Sequence, residues 1–152
     1  TFRQRYFSKQ PRLNMKEPVT DILKDYHLSV TESRKKILAL FLKSPGALTH
    51  GDIEKRAGNH FDRVTIYRTL HAFLEKGLVH TIPSADDNIR YALCKSECDE
   101  HGHHDDHVHF VCDNCGKTIC LENIHVQPVK LPIGYSSKEV NVVVSGLCKE
   151  CN

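Results

Sequence analysis

Asp62-Arg-Val-Thr-Ile-Tyr-Arg-Thr-Leu-His-Ala-Phe-Leu-Glu-Lys-Gly77 is the stretch that decides the fold. Asp62 can cap a helix, Val64, Tyr67, Leu70, Phe73 and Leu74 mark an apolar face at helical spacing, and Gly77 supplies the stop. This phasing leaves Arg63, Thr65, Arg68, Thr69 and His71 more exposed, as a basic and hydroxyl-bearing face. Just upstream, Thr49 with Asp52 forms a variant capping box for a short helix beginning at Ile53 and closed by Gly58-Asn59. Two short helices joined by a turn, the second with an exposed basic face, describe a helix-turn-helix whose second helix can enter a major groove. Leu78 to Ile82 and Ile89 to Leu93, separated by the polar turn Ser84 to Asn88, read as a β-hairpin and complete a winged helix. Two further amphipathic runs precede it, one on Val19, Ile22, Leu23 and Tyr26, the other on Ile37, Leu38, Phe41 and Leu42, ended by Ser44-Pro45-Gly46. A helical hairpin with a basic face is equally compatible with a solvated surface, so this region alone leaves DNA binding open.

Beyond residue 94 the chemistry changes. Cys112-Asp-Asn-Cys115-Gly-Lys117 and, after 32 intervening residues, Cys148-Lys-Glu-Cys151 form a paired CxxC motif. Each CxxC turn can bring two thiolates to one ion, and Gly116 lets the chain leave the first turn in a conformation other residues resist. Four thiolates make a closed tetrahedral zinc site. A redox dithiol is the competing reading, but such motifs are normally single and lie beside a βαβ unit. Immediately before, in His107-Val-His109-Phe-Val-Cys112, a strand would place His107 and His109 on one face, a pairing suited to a transition ion of borderline softness. The preceding His101, His103 and His104 fit a solvated polar loop as well as a ligand set.

The composition is consistent with both halves. Among 152 residues, 1–95 carry 17 Lys and Arg against 10 Asp and Glu, a net +7, whereas 96–152 carry 4 against 9, a net −5. The total of +2 therefore hides a basic segment and an acidic one. The length excludes a barrel enzyme or a full dinucleotide fold. No apolar run reaches membrane length and no N-terminal apolar leader is present, which suits a cytoplasmic protein whose 7 cysteines serve as metal ligands more readily than as disulfides. Residues 1–14 form a basic extension, a tag or an arm touching DNA phosphates, since Met15 offers a translation start. A hydrolytic zinc enzyme would need an open position and a general base. Glu100 and Glu122 are candidates for that base, and neither stands in an HExxH-like frame.

Winged helix, hairpin, His-bearing strand, CxxCGK and terminal CxxC together resemble the ferric uptake regulator family of bacterial metalloregulators over residues 17–152. The motifs that carry the resemblance are Val30-Thr31 to Arg34, Val64-Thr-Ile-Tyr-Arg-Thr-Leu70, His107-Val-His109-Phe-Val-Cys112 and the two CxxC pairs. The resemblance implies an α+β chain: a winged-helix DNA-binding domain over 15–94, and over 95–152 a small α/β metal-binding dimerisation domain with a four-cysteine zinc site. It places Cys112, Cys115, Cys148 and Cys151 on the structural Zn²⁺. Within the family the zinc uptake regulators are the nearer type, and their sensing ligands fall on His80, Cys94, His107 and His109. Three imidazoles and a thiolate favour a second, regulatory Zn²⁺ over Fe²⁺ or Mn²⁺. Tyr67 and Arg68 take the positions of base or sugar contacts, with Arg63 and Thr65 on phosphates. The implied function is a metal-dependent repressor of metal uptake, a homodimer on double-stranded operator DNA, neither an enzyme nor a membrane protein and without a small-molecule substrate. The alternative on the same scaffold is an iron or peroxide sensor.

Departures from the family pattern bear on that choice. Ala47 and Ala92 stand where iron-type members usually have His and Glu, which argues against iron. Cys120 stands where many members are acidic, so its thiol could join a site or merely pack. Val108 replaces an Asp between the two histidines, and residues 99–106 look like an insertion. A further site could draw on His101, His103, His104, Cys98, Cys120 or Glu122. Ser29 replaces a basic residue used against the minor groove, and Pro128 and Pro132 should shorten the family's dimerisation helix.

Overall fold

Thr31, Thr49 and Asp62 each stand just before a helix with a side-chain oxygen turned back onto a backbone N–H, and these three caps set the spacing of the helical layer. In this computed structural model, which describes residues 13–84, 88–94, 107–137 and 140–152, the elements run α1 (Val19–Asp25), α2 (Glu32–Lys43), β1 (Leu48–Thr49), α3 (His50–Ala57), α4 (Arg63–Glu75), β2 (Val79–Ile82), β3 (Arg90–Leu93), β4 (His107–Cys112), β5 (Thr118–His125) and β6 (Val142–Gly146). Thr31 accepts from Arg34 N–H and Asp62 from Thr65 N–H, while Thr49 and Asp52 form a reciprocal capping box. The insertion 99–106 with His101, His103 and His104, and Cys98 before it, lie outside the described residues.

The apolar residues of α1 to α4 and of β2 and β3 close over one core, with Leu23, Ile37, Leu38, Ile53, Ile66, Phe73, Leu78 and Val79 fully buried. In α4 the phase differs from the expected one. The buried face is Ile66, Thr69, Leu70 and Phe73, and Val64 and Tyr67 are 54% and 60% exposed. The rows i, i+3, i+4 and i+7 counted from Ile66 form a continuous stripe that accepts Thr69, whose methyl packs as well as a small aliphatic. Val64 and Tyr67 consequently join Arg63 and Arg68 on the outer face.

β1 is a strand the sequence pattern did not announce. It pairs with β3, giving an antiparallel sheet of order β1-β3-β2, with Leu48 opposite Tyr91 and His80 opposite Ala92. The second sheet has order β5-β4-β6. β4 is antiparallel to β5, with His109 opposite Cys120, and parallel to β6, with Phe110 opposite Val144. The expected short helix around Pro128 and Pro132 is not formed among the described residues: 126–137 carry no helix or strand. Two prolines four apart remove two N–H donors and push the residues before them toward extended backbone.

The two sheets meet through the loop after α2. Ala47 N–H donates to the Thr118 carbonyl at 2.9 Å. A Cβ at position 46 would lie 2.3 Å from that same oxygen, so only glycine permits this approach.

Candidate metal centre

Two groups of thiol and imidazole donors are assembled, one inside the second sheet and one between the sheets. The first consists of Cys112, Cys115, Cys148 and Cys151, whose sulfurs all lie within 4.8 Å of one another. Cys112 ends β4, and Gly116 N–H donates to the Cys112 carbonyl at 2.9 Å with Gly116 at φ 70°, which closes the first knuckle. Cys151 N–H donates to the Cys148 carbonyl at 2.9 Å and closes the second. Parallel pairing of β4 with β6 carries residue 146 alongside Cys112, and Asp113 N–H binds the Gly146 carbonyl at 2.8 Å. The knuckles are thereby brought face to face. Cys115 and Cys148 sulfurs are 3.7 Å apart, against about 3.8 Å for the edge of a tetrahedron with Zn–S bonds of about 2.3 Å.

The electrostatics of this group suit a cation. Backbone N–H groups of Cys115 and Cys148 point at the Cys112 sulfur and hold its pKa at about 6, so its thiolate forms readily. Burial, the Glu150 carboxylate and the neighbouring sulfurs push Cys148 up to about 12. The first negative charge is easy and the later ones repel it, so full ionisation calls for a positive ion at the centre. Lys117 and Glu150 form an exposed ion pair of 3.0 Å across the two knuckles.

The second group joins His80 on β2 to His109 and Cys120 on β4 and β5, again with donor atoms within 4.8 Å. His80 and His109 are buried at 2% and 0% exposure, and Cys120 is half-buried. Nε2 of His80 lies 3.2 Å from Nε2 of His109 and 3.7 Å from the Cys120 sulfur. A tetrahedral zinc with Zn–N of about 2.05 Å has N···N and N···S edges of about 3.3 and 3.6 Å. Cys94, expected as the site's thiolate, touches the other edge of His80: its sulfur is 3.3 Å from Nδ1. Strand register sets the neighbours within each sheet, and the approach of the two sheets brings His80 to His109 and Cys120. His109 and Cys120 are directly opposite, and Cys94, two residues beyond Ala92, is the diagonal neighbour of His80. His107 begins β4 next to a register shift; its side chain and that of Glu122 lie outside the described residues.

On α4, Tyr67 and Arg68 are exposed, Arg63 pairs with Glu54 at 3.4 Å and Thr65 is held at the cap by Asp62. The residue that motif reading left undecided, Cys120, is thus the one the tertiary structure brings in. A signal was available: once β4 and β5 are paired through the tight 113–117 turn, position 120 must face His109.

Residues 25–141 match the ferric uptake regulator family. This chain belongs to that family. Its members are metal-dependent transcriptional regulators that bind DNA as dimers, and they are not enzymes. A ferric uptake regulation protein of Staphylococcus epidermidis is 27% identical over 134 residues, covering 86% of this chain and 91% of that protein. The peroxide operon regulator of Bacillus subtilis is 27% identical over 139 residues, covering 87% and 90%. Among solved structures, a zinc uptake regulator complexed with zinc and DNA shares the fold with a TM-score of 0.59 at 23% identity, covering 86% of this chain and 87% of that one. The α+β ferric uptake regulator architecture, N-terminal winged helix followed by a sheet domain with four clustered cysteines, is therefore the fold of this chain. Among the described residues no helix is long and apolar enough to cross a membrane.

Proposed function

We propose that this ferric uptake regulator family member is a zinc-responsive repressor of metal uptake, acting in the cytoplasm as a homodimer on operator DNA. The observation that carries the reading is the 3.2 Å approach of His80 and His109 across the two sheets, with thiols beside it. Imidazole and thiol donors suit Zn²⁺, whereas the harder Fe²⁺ and Mn²⁺ are better served by sites with carboxylates. Cys112, Cys115, Cys148 and Cys151 would hold a permanent zinc, and the ion sensed would be taken up around His80, Cys94, His107 and His109.

Coupling to DNA follows from connectivity. His80 lies five residues beyond Glu75, the last residue of α4, so fixing His80 against β4 fixes the orientation of the helix that carries Tyr67 and Arg68. In a dimer, two α4 helices held at one spacing match two half-sites of a pseudo-palindrome. Arg68 would read guanine, Tyr67 a thymine methyl or sugar, and Arg63 and Thr65 would hold phosphates. Exposed Val129, Ile133, Tyr135 and Val144 supply an apolar surface for the second copy, within the 95–152 segment assigned to dimerisation. Residues 15–94 then form the DNA-binding part, preceded by the basic 1–14 extension.

The test is fluorescence anisotropy with a duplex selected from a randomised library by the zinc-loaded protein. Zinc is expected to raise affinity about 5- to 150-fold, the range of a 1–3 kcal/mol coupling, and His80→Ala to remove that gain. A larger gain with Fe²⁺ or Mn²⁺ than with Zn²⁺ would replace this reading by iron or peroxide sensing, which the names of the 27% identical relatives would equally allow.

A further inference from the structure

One arginine of the winged helix is buried against the four-cysteine end of the other sheet. Arg90 opens β3 and is 8% exposed, and its guanidinium donates to the Ser84 hydroxyl and, at 3.5 Å, to the Asn88 carbonyl. Its Nη2 lies 4.0 Å from the point that a Cβ on Gly116 would occupy, so the group rests over the first thiol knuckle. With Ser84 it forms one wall of a cleft of about 190 Å³ whose other wall includes Cys112, Asp113 and Ser145. A buried guanidinium calls for negative charge as well as hydrogen-bond acceptors, and an incoming anion is one way to supply it. That anion would stand beside the Asp113 carboxylate and beside four thiolates that, with one Zn²⁺ among them, carry a net charge of −2. The cleft therefore repels what an anion site must attract, whereas the zinc–thiolate centre itself supplies the charge that Arg90 needs. Asp52, a carboxylate within Coulombic reach of Arg90, belongs to α3 in the winged helix and cannot join it to the second sheet.

We infer that Arg90 is an electrostatic latch between the two sheets: its guanidinium holds the β2-β3 hairpin against the zinc-filled cysteine knuckle, so that zinc at the four cysteines helps to assemble a second site it does not touch. This rests on the reading of the four cysteines as a permanent zinc site. The latch lies next to the other docking contact, because Gly116 sits under Arg90 and Thr118, two residues on, accepts the Ala47 N–H at 2.9 Å. It also acts on the right strand. Arg90 is directly opposite Ile82 in the β2-β3 ladder, and His80 lies two residues back along β2, so holding Arg90 holds His80 near β4. A site assembled for a larger fraction of the time binds its ion more tightly by that fraction. Arg90 thus acts as a positioning residue, in contact with neither the sensed ion nor DNA.

The Ala47 N–H reports docking directly, because its acceptor is on the other sheet. Its hydrogen exchange is followed by NMR in full-length protein carrying one tight zinc per chain, for the parent and for Arg90→Met, Arg90→Lys and Asp113→Asn. Arg90→Met keeps the apolar length of the side chain and removes its charge, and Ala47 protection should fall about 5- to 150-fold, the range of a coupling between sites. Arg90→Lys should retain most of the protection, and Asp113→Asn should leave it unchanged. The Cys94 N–H, bonded to the Leu78 carbonyl at 3.0 Å within the hairpin part, should stay protected in all of them. Zn²⁺ affinity at the second site should fall in Arg90→Met by the same factor as the Ala47 protection. The latch is overturned if Arg90→Met leaves Ala47 protection unchanged, if Arg90→Lys loses as much, if Asp113→Asn reproduces the loss, or if Cys94 loses protection alongside Ala47. Absence of a tight zinc from the parent protein would instead overturn the reading of the four cysteines. Failure of the parent to take up a second zinc would overturn the zinc-sensing reading and leave the docking result standing.

Discussion

The four-cysteine group and the His80–His109–Cys120 group are both built from soft donors at tetrahedral spacing, yet they differ in what holds the donors together. The cysteines belong to one sheet, two tight knuckles and one parallel strand pair, so the group exists whenever β4, β5 and β6 are formed. The second group exists only when two sheets dock. His80 comes from the hairpin after α4, and His109 and Cys120 come from the other sheet. A site that must wait for docking binds with an affinity reduced by the fraction of time it is assembled. That property fits the sensing role proposed for the second group and is not needed in the permanent site proposed for the first. On the proposed reading, donor chemistry alone does not separate a structural from a regulatory metal; the number of sheets contributing donors does.

Breaking the staple should produce the largest effect. Cys148→Ser removes a ligand from a group whose zinc sites, in small domains, bind with apparent energies of about 10–16 kcal/mol. Tight zinc should be lost and the second sheet destabilised by several kcal/mol, read as metal content after gel filtration and as a lowered Tm. Unchanged zinc content would erase the distinction between the two groups.

Breaking the interdomain group should leave stability nearly intact and remove regulation. In His109→Ala the zinc-dependent gain in DNA affinity, about 5- to 150-fold, should disappear while one zinc per chain stays tightly bound. If both zincs were lost together, the two groups would be one cooperative unit.

A third variant touches docking without touching any donor. Gly46→Ala places a methyl 2.3 Å from the Thr118 carbonyl oxygen and forces apart the contact that includes the Ala47–Thr118 hydrogen bond. Overpacking of this kind costs about 1–3 kcal/mol. Zinc affinity at the second site, measured by competition with a chromophoric chelator, should fall about 5- to 150-fold, with the four-cysteine zinc unaffected. Equal affinity in Gly46→Ala would show that docking does not limit the sensing site.

The smallest effect tests a part remote from both groups. Burial raises the Asp52 carboxyl, but hydrogen bonds from the Thr49 N–H and hydroxyl and the charges of Arg56 and Arg90 outweigh it, so the pKa lies below the ordinary value. A depressed carboxylate stabilises the fold above its unfolded pKa, about 4, and loses that contribution as pH falls through the folded value. Asp52→Ala should cost about 0.5–1 kcal/mol near neutral pH, the scale of a helix cap, with no change in zinc response. In denaturant titrations its difference from the parent should fade below about pH 4.

The two groups were also legible to different degrees. Both CxxC pairs and the caps at Thr49 and Asp62 could be read directly, because their geometry is closed within a few residues and the chemistry follows from spacing; the Thr31 cap came only with the structure. The face of α4 was misphased: Val64 and Tyr67 looked like core, and Ile66 with Thr69 proved to be the buried stripe. An apolar residue that functions on the surface is indistinguishable, by periodicity alone, from one that packs. Resemblance to a family supplied His80, Cys94, His107 and His109 as a set, but a ligand list carries no information about which edge of a ring each donor meets.

What the sequence determined by itself, then, was everything governed by short-range stereochemistry: helix starts and stops, the hairpin, two thiol knuckles, and a charge that changes sign near residue 95. The tertiary structure alone decided that Cys120 lies within ligand distance of His80, that Cys94 lies behind the same ring, and that Gly46 makes room for the approach. These facts depend on strand register and on the docking of two sheets, each the outcome of many contacts far apart in the chain. No local pattern encodes them, because a one-residue slip in register would leave every motif intact and turn each of these side chains to the opposite face.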